Sequence, residues 1–196
     1  MQCKKIDINI DINTLKDILS PYCNNLHNIA KQYPDDIVRV MTNYPAGLGH
    51  YTMNKRLDEN WQVIETDEYF LYTMINKFST RMISVYYKES ADIDNYIQEI
   101  INKIQSVENI KDKTPVVALV YAGPKFRLEK HIDSKGLVRY HIPLETTEHS
   151  YFVTYDPKTK WWPKEGDVWR LETEKYHAAM NDSETETRIH MIVDFI

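Results

Sequence analysis

The chain has 196 residues, a length that allows one well-buried domain and is short for two. Apolar residues make up 42% and charged residues 27%, as in ordinary globular proteins, which argues against a disordered chain. The formal charge of −5, with lysines and arginines scattered, argues against binding of nucleic acid or of a membrane surface.

The cysteines and the apolar runs predict where the protein works. Cys3 and Cys23 have neither the spacing of a metal site nor that of a disulfide framework, which indicates a reducing compartment. The first residues show no apolar stretch typical of a signal peptide, and the longest apolar run, 115–123, is too short to cross a bilayer. We therefore expect a cytoplasmic protein with no membrane partner.

In the first half of the chain, the spacing of apolar residues changes from that of a strand to that of a helix. Isoleucines at 6, 8 and 10 alternate with polar residues, which predicts a strand with one buried face. Over 13–33 the apolar residues fall three or four apart, which predicts a helix capped by Asn13 or Thr14 and ended by Pro34. The Gly- and Pro-containing segment 43–49 predicts a surface loop, with a lid formed by Tyr44, His50 and Tyr51 as the alternative.

Strands and one more helix follow. Mixed aromatic and β-branched residues predict strands at 61–64, 69–75 and 81–87. A stripe of isoleucines over 92–107 predicts a helix that packs on a flat surface, so that both helices back one sheet.

The second half is rich in β-strands. The run 116–121 predicts a strand that is buried on both faces. Short strands are predicted after it, at 126–130, 137–144, 151–155, 168–173 and 187–196. The series favours a sandwich or a barrel. No linker divides the chain, so we expect a single domain, 1–196, in which 1–114 supports a β core at 115–196.

Two of these strands carry an Arg-X-His pattern on one face. In 137–144 alternate positions are apolar, and the other face holds Arg139 and His141. In 187–196 the pattern repeats with Arg188 and His190. Either these faces are solvated, or they line an interior site while the apolar faces pack on the helices. Two such faces in one short β-domain favour the interior site, because solvated faces carry histidine less often than Lys, Glu, Thr or Ser.

Three residues are candidate metal ligands. His131 and Asp133 point to one side of an extended segment, and alone they are typical of a surface pair. His177, between two predicted strands, adds a second imidazole. Two histidines and one carboxylate are the open donor set of non-haem Fe(II) oxygenases, and no cysteine is placed to complete a structural zinc site.

Arg188 is the candidate anion clamp. An open ferrous site that uses 2-oxoglutarate needs a fixed cation for the far carboxylate of that co-substrate, and a guanidinium matches a carboxylate with two hydrogen bonds. A surface ion pair is the alternative role. Its place on the same strand face as His190 favours the clamp.

Five stretches carry a resemblance to a known family. They are HID at 131–133, RYHIPL at 139–144, EGDVW at 165–169, HAAMNDS at 177–183 and RIHMIVD at 188–194. In order and spacing they resemble the aspartyl/asparaginyl β-hydroxylase family, and most closely the bacterial free L-proline cis-hydroxylases. The resemblance covers about 116–196, and it implies a double-stranded β-helix, the cupin-like jelly-roll barrel, that binds Fe(II) and 2-oxoglutarate.

By the same resemblance, each site residue receives a role. His131, Asp133 and His177 would bind iron, Arg188 would hold 2-oxoglutarate, and Arg139 and His141 would line the same pocket. Animal members of the family have glycine where this chain has Asp133, so the triad is complete here. The serine that some members place near the co-substrate corresponds to Val120.

The implied activity is that of a 2-oxoglutarate- and Fe(II)-dependent dioxygenase. It would use O2, with ascorbate as a supporting reductant, to hydroxylate a C–H bond of an amino acid or of an Asp, Asn or Pro residue in a peptide. Two alternatives stay open: a non-catalytic jelly-roll binding module, and a cupin-type isomerase or epimerase.

Overall fold

A computed structural model of the chain describes residues 2–32, 37–43, 61–65, 69–75, 81–87, 95–133 and 135–196, with the backbone alone for the strands between 37 and 87. Within these residues the strands are β1 (Cys3–Ile6), β2 (Ile37–Asn43), β3 (Trp61–Glu65), β4 (Tyr69–Ile75), β5 (Arg81–Tyr87), β6 (Pro115–Ala122), β7 (Arg127–His131), β8 (Val138–Glu145), β9 (Ser150–Tyr155), β10 (Lys158–Trp161), β11 (Val168–Leu171), β12 (His177–Asn181) and β13 (Arg188–Phe195). The helices are α1 (Ile12–Gln32) and α2 (Asn95–Glu108).

The described strands form two sheets. The large sheet has nine strands in the order β1-β11-β8-β13-β6-β2-β5-β4-β3, and the small sheet has four in the order β10-β9-β12-β7. All pairs are antiparallel except β2 with β5. From β6 to β13 the chain crosses repeatedly between the two sheets, which is the winding of a double-stranded β-helix. The predicted fold, mainly β with two helices, is therefore confirmed.

Both helices pack on one face of the large sheet. The buried side of α1 comprises Leu15, Leu19, Cys23, Leu26, Ile29 and Ala30, and that of α2 comprises Ile97, Ile100, Ile101 and Ile104. They share one core cluster with Tyr140, Ile142 and Leu144 of β8 and Ile189, Met191, Val193 and Phe195 of β13. Burial of this apolar surface is the main stabilising contribution to this layer. The predicted packing faces of the two strands are therefore confirmed.

The face of β8 and β13 that lies away from the helices is directed toward the small sheet. Arg139 of β8 is the cross-strand partner of Asp194, and His141 is the partner of Ile192. Because side chains alternate along a strand, these residues lie on the face away from the helices. Arg188 and His190 of β13 are buried there as well. The interior reading of the two Arg-X-His faces is correct, and the solvated reading is wrong.

Several local predictions differ from the structure. Helix α1 begins at Ile12, and its cap is Asp11, whose Oδ1 accepts from the backbone N–H groups of Asn13 and Thr14 at 3.1 and 3.3 Å. The first strand ends at Ile6 and does not run through residue 10. Strands β2, β10 and β12 were not predicted.

Some predictions fall on residues that the structure does not describe. They are the helix end at Pro34, the loop residues 44–49, the lid candidates Tyr44, His50 and Tyr51, and the start of the second helix at 92–94. Neither described helix is long and apolar enough to cross a bilayer.

Candidate metal centre and anion pocket

Three candidate metal ligands meet on the small sheet. His131 ends β7, His177 begins β12, and the two are cross-strand partners. Asp133 follows β7, and its backbone N–H donates to the carbonyl oxygen of Thr173 at 2.9 Å, which fixes the segment in place. The atoms that the three side chains offer to a metal all lie within 4.8 Å of one another. The structure thus brings together the three residues that the sequence singled out.

Both histidines present the same ring nitrogen to the cluster. Nδ1 of His131 lies 2.7 Å from the carbonyl oxygen of Glu129, and Nδ1 of His177 lies 2.9 Å from that of Lys175. A carbonyl oxygen only accepts, so each Nδ1 carries the proton and each Nε2 keeps its lone pair. The two Nε2 atoms lie 3.5 and 3.8 Å from the Asp133 oxygens. Burial lowers the pKa of His177, which favours the neutral ring that binds metals.

The donor set fits ferrous iron. Two imidazoles and one carboxylate form a group of three, and the described residues add no fourth ligand to it. A closed structural zinc site takes four protein ligands, whereas three ligands leave half of an octahedral shell open to small molecules. The cluster therefore suits a metal that must bind further ligands.

Arg139 is tied to two carboxylates. Its Nη1 donates to Asp133 Oδ2 at 2.6 Å, while Nε and Nη2 donate to the two oxygens of Asp194 at 2.7 and 2.8 Å. Burial alone would lower the pKa of Arg139, but the Asp194 carboxylate raises it above the ordinary value. The resemblance predicted that Arg139 lines the co-substrate pocket. The structure places its guanidinium against the metal-site carboxylate, and its role toward the co-substrate stays a prediction.

A buried cationic pocket lies beside the triad. Arg188 is 3% exposed, and its Nε and Nη1 have no hydrogen-bond partner among the described residues. Both ring nitrogens of His141 and of His190 are buried and equally unpartnered. The rings of the two histidines lie 5.7 Å apart, and the Arg188 guanidinium carbon lies 5.7 Å from the Phe152 ring. Buried polar groups without partners are rare, so this set is suited to an anionic ligand with several acceptor oxygens.

His141 joins the pocket to the metal triad. Burial lowers its pKa far below 6.5, and the positive charges of Arg139 and Arg188 and the charge of His177 lower it further. These charges therefore surround the imidazole. The pKa of His190 is also lowered, mainly by burial and then by the positive charge of Arg188. Burial also lowers the pKa of Arg188, to about 10, so the guanidinium stays positive at neutral pH beside two neutral rings.

The two buried histidines predict an acid-sensitive fold. Because each folded-state pKa lies well below the unfolded value of 6.5, each ring contributes stability that is present above pH 6.5 and is lost as the pH falls below it. For the pair we expect a loss of about 3 kcal/mol between pH 7.5 and about pH 5.5. Urea unfolding of the apo-protein at several pH values measures this loss.

The variant His190→Gln should reduce that pH dependence by about half. His149→Gln, at an exposed histidine, is the matched control and should leave it unchanged. If the pH dependence of His190→Gln equals that of the parent, His190 is not held neutral by the fold.

Sequence reasoning missed two parts of the site. Asp194 appeared only at the end of the family-like stretch 188–194, yet it is the main partner of Arg139. Phe152 of β9, which is fully buried, forms the pocket wall with its ring 4.6 Å from that of His141. The Arg-X-His pattern was a usable signal for His190, whose strand face was predicted but whose place in the pocket was not.

The comparison with protein families identifies one match. A sequence model described as aspartyl/asparaginyl beta-hydroxylase matches residues 88–196, which is more than half of the chain. The matched segment contains α2, the β6–β13 core and every residue of the site described above. No curated protein sequence matches the chain.

Among the solved structures, one shares the fold, and others show a weaker similarity. A prolyl-4-hydroxylase of Pseudomonas putida is similar over 99% of this chain and 92% of its own, with 10% identity and a TM-score of 0.54. AviO1 of Streptomyces viridochromogenes Tue57 is similar over 76% and 78%, with 12% identity and a TM-score of 0.46. SnoN, a non-haem alpha-ketoglutarate-dependent epimerase from nogalamycin biosynthesis, is similar over 88% and 83%, with 12% identity and a TM-score of 0.43. At 10% identity, the likeness to the prolyl-4-hydroxylase shows the architecture alone.

Proposed function

Because the chain belongs to the aspartyl/asparaginyl β-hydroxylase family, we propose that it is a 2-oxoglutarate- and Fe(II)-dependent dioxygenase. Its substrate is an amino acid, such as free proline, or an Asp, Asn or Pro residue in a peptide, and the product carries one added hydroxyl group. His131, Asp133 and His177 would hold the iron. Arg188, with His141 and His190, would hold the far carboxylate of 2-oxoglutarate.

One observation carries the proposal: a buried guanidinium with no carboxylate partner among the described residues lies in the same interior as an open metal-binding triad. A buried charge without a partner destabilises a folded protein, and binding of a ligand of opposite charge offsets that cost. An unpaired buried arginine therefore indicates a binding site for an anion. Nε and Nη1 of Arg188 are buried and have no partner in the described part of the chain, so the guanidinium has donors free for a carboxylate. A dicarboxylic keto acid satisfies both halves of the site, since one end chelates a metal and the other meets the arginine.

The protein residues position the reactants and keep water out. When iron and 2-oxoglutarate are bound, they supply the oxidising power that inserts oxygen from O2 into a C–H bond. The carbonyl oxygens of Glu129 and Lys175 accept from Nδ1 of the two imidazoles and so leave each Nε2 free in the cluster, where it would bind the iron. Phe152 and the two neutral histidine rings make the co-substrate pocket dry, which strengthens its electrostatic contacts.

Two other functions are compatible with the same jelly-roll fold. A non-catalytic jelly-roll binding module would bind a metal or an anion without turnover. A cupin-type isomerase or epimerase would use the histidines and arginines without consuming 2-oxoglutarate. The anion pocket beside an open metal triad favours the dioxygenase over the isomerase or epimerase, which needs no keto-acid co-substrate. The binding module differs from the dioxygenase in turnover, which the following experiment measures.

The test is product formation from 2-oxoglutarate. With Fe(II), ascorbate and O2 present, we expect succinate release even without the true substrate, at a slow uncoupled rate. Addition of the twenty amino acids or of a peptide pool should raise that rate for the true substrate and give a product one oxygen heavier by mass spectrometry. A metal-free sample with chelator is the control. If the protein binds 2-oxoglutarate yet releases no succinate with any addition, the binding-module function is correct and the dioxygenase is wrong.

A further inference from the structure

Arg139 and Asp194 form a two-point clamp next to the metal triad. The guanidinium uses Nε and Nη2 for the two oxygens of Asp194, at 2.7 and 2.8 Å, and Nη1 for Asp133 Oδ2 at 2.6 Å. The three side chains are each about one-fifth exposed, so the contacts are only partly screened by water. Bidentate arginine–carboxylate pairs are the geometrically rigid kind of ion pair. Asp194 therefore fixes the plane and position of the Arg139 guanidinium.

Both oxygens of Asp133 face the two histidines. Oδ1 lies 3.5 Å from His131 Nε2, and Oδ2 lies 3.8 Å from His177 Nε2. Oδ2 also accepts from Arg139 at 2.6 Å. The guanidinium therefore fixes the carboxylate in the orientation in which both oxygens face the ligand cluster.

We propose that Arg139, held by Asp194, is a positioning residue that fixes the Asp133 carboxylate in the orientation in which it would bind the metal. Ligating carboxylates depend on such hydrogen bonds for their orientation. Asp194 acts through Arg139, because its two oxygens hold the guanidinium. This inference rests on the metal site of the proposed function.

A purely electrostatic role of Arg139 and a positioning role predict opposite changes in metal affinity when Arg139 is replaced, so an experiment can distinguish them. If Arg139 acted only through its charge, it would repel a divalent cation, and Arg139→Gln would tighten metal binding. If it positions Asp133, its loss leaves the carboxylate without orientation. Residues that orient metal ligands typically contribute about 10- to 100-fold in affinity. We therefore expect Arg139→Gln to weaken metal binding within that range.

The experiment is a calorimetric titration of the metal-free full chain with Mn2+, which needs no turnover. We expect Asp194→Asn to weaken binding by about 10-fold, and the double variant Arg139→Gln with Asp194→Asn to bind like Arg139→Gln alone, within ~2-fold, because Asp194 acts only through Arg139. A pure charge effect predicts that the double variant returns to parent affinity. Arg139→Lys keeps the charge but loses the bidentate fork, and it should also bind more weakly.

The matched control is Arg170→Gln. Arg170 of β11 donates to the buried Glu108 at 2.8 Å, so its loss breaks a comparable ion pair that lies outside the site. We expect lower thermal stability with unchanged Mn2+ affinity. Should Arg139→Gln not fold, Asp194→Asn and Arg139→Lys decide the question, since parent-like affinity in both overturns the positioning role. Tighter binding by Arg139→Gln overturns it as well, while a parent that binds no Mn2+ overturns the metal site and with it the proposed function.

Discussion

The His177→Ala variant is expected to lose 2-oxoglutarate turnover by at least ~100-fold, because removal of a ligand should exceed the effect of residues that only orient ligands. His177 is 3% exposed and its ring is fixed by the Lys175 carbonyl, and the described residues offer the cluster no further ligand to replace it. Asp133→Ala should give the same loss, since it removes the sole carboxylate of the cluster found in the described residues. Succinate release and oxygenated product, measured together, report the effect.

His149→Ala is the matched control for His177→Ala. Its ring is half exposed and lies beside Glu148, outside the ligand cluster, so we expect turnover at the parent rate. Circular dichroism and thermal unfolding should show that both variants keep the fold. If His177→Ala or Asp133→Ala still couples 2-oxoglutarate loss to product at the parent rate, the ligand assignment is wrong.

The alternation along β8 and β13 was enough to predict where the site lies. Each strand carries an apolar face and an Arg-X-His face, and such a division is a local property of the sequence that the sheet geometry converts directly into two sides. The apolar sides do pack on α1 and α2. Periodicity thus predicts that Arg139 and His141 share one face of β8 and that Arg188 and His190 share one face of β13, while the two histidines favoured the interior for both faces.

The partner of Arg139 could not be predicted in the same way. Arg139 meets Asp194 because β8 and β13 pair antiparallel in one register, and a shift of that register would separate them. Register depends on the packing of the whole sheet, which no local pattern encodes. The resemblance to the family therefore assigned Arg139 to the co-substrate, whereas the fold gives it two carboxylates.

Strand β12 shows a second limit of local patterns. Its sequence, HAAMN, has no β-branched residue, and isolated propensity would favour a helix or a turn. It is a strand because β9 and β7 flank it on both sides and supply its hydrogen bonds. His177 gains a rigid position from this pairing, so the residue most important to the site lies in an element that the sequence alone did not predict.

The second large effect is expected for Arg188→Met. Because burial lowers the pKa of Arg188 from its ordinary value to about 10, the folded protein holds this charge at a cost on the order of 3 kcal/mol. Removal of the charge should therefore stabilise the metal-free, ligand-free protein against urea. The same change should weaken 2-oxoglutarate binding by ~100-fold or more, because it removes a charged, two-bond contact made in a dry pocket. Urea unfolding and isothermal titration measure the two effects on one sample.

The opposite signs of these effects separate a ligand-binding arginine from a structural one. A structural Arg188 would lower stability when replaced, and would change 2-oxoglutarate affinity only through unfolding. Arg188→Lys refines the comparison, since it keeps the charge but replaces the planar fork by a single ammonium group; we expect a loss of about 10-fold in affinity. Mn2+ affinity should stay at the parent value in both variants. If Arg188→Met binds 2-oxoglutarate like the parent, the unpartnered guanidinium is not the clamp, and the co-substrate must be held elsewhere in the fold.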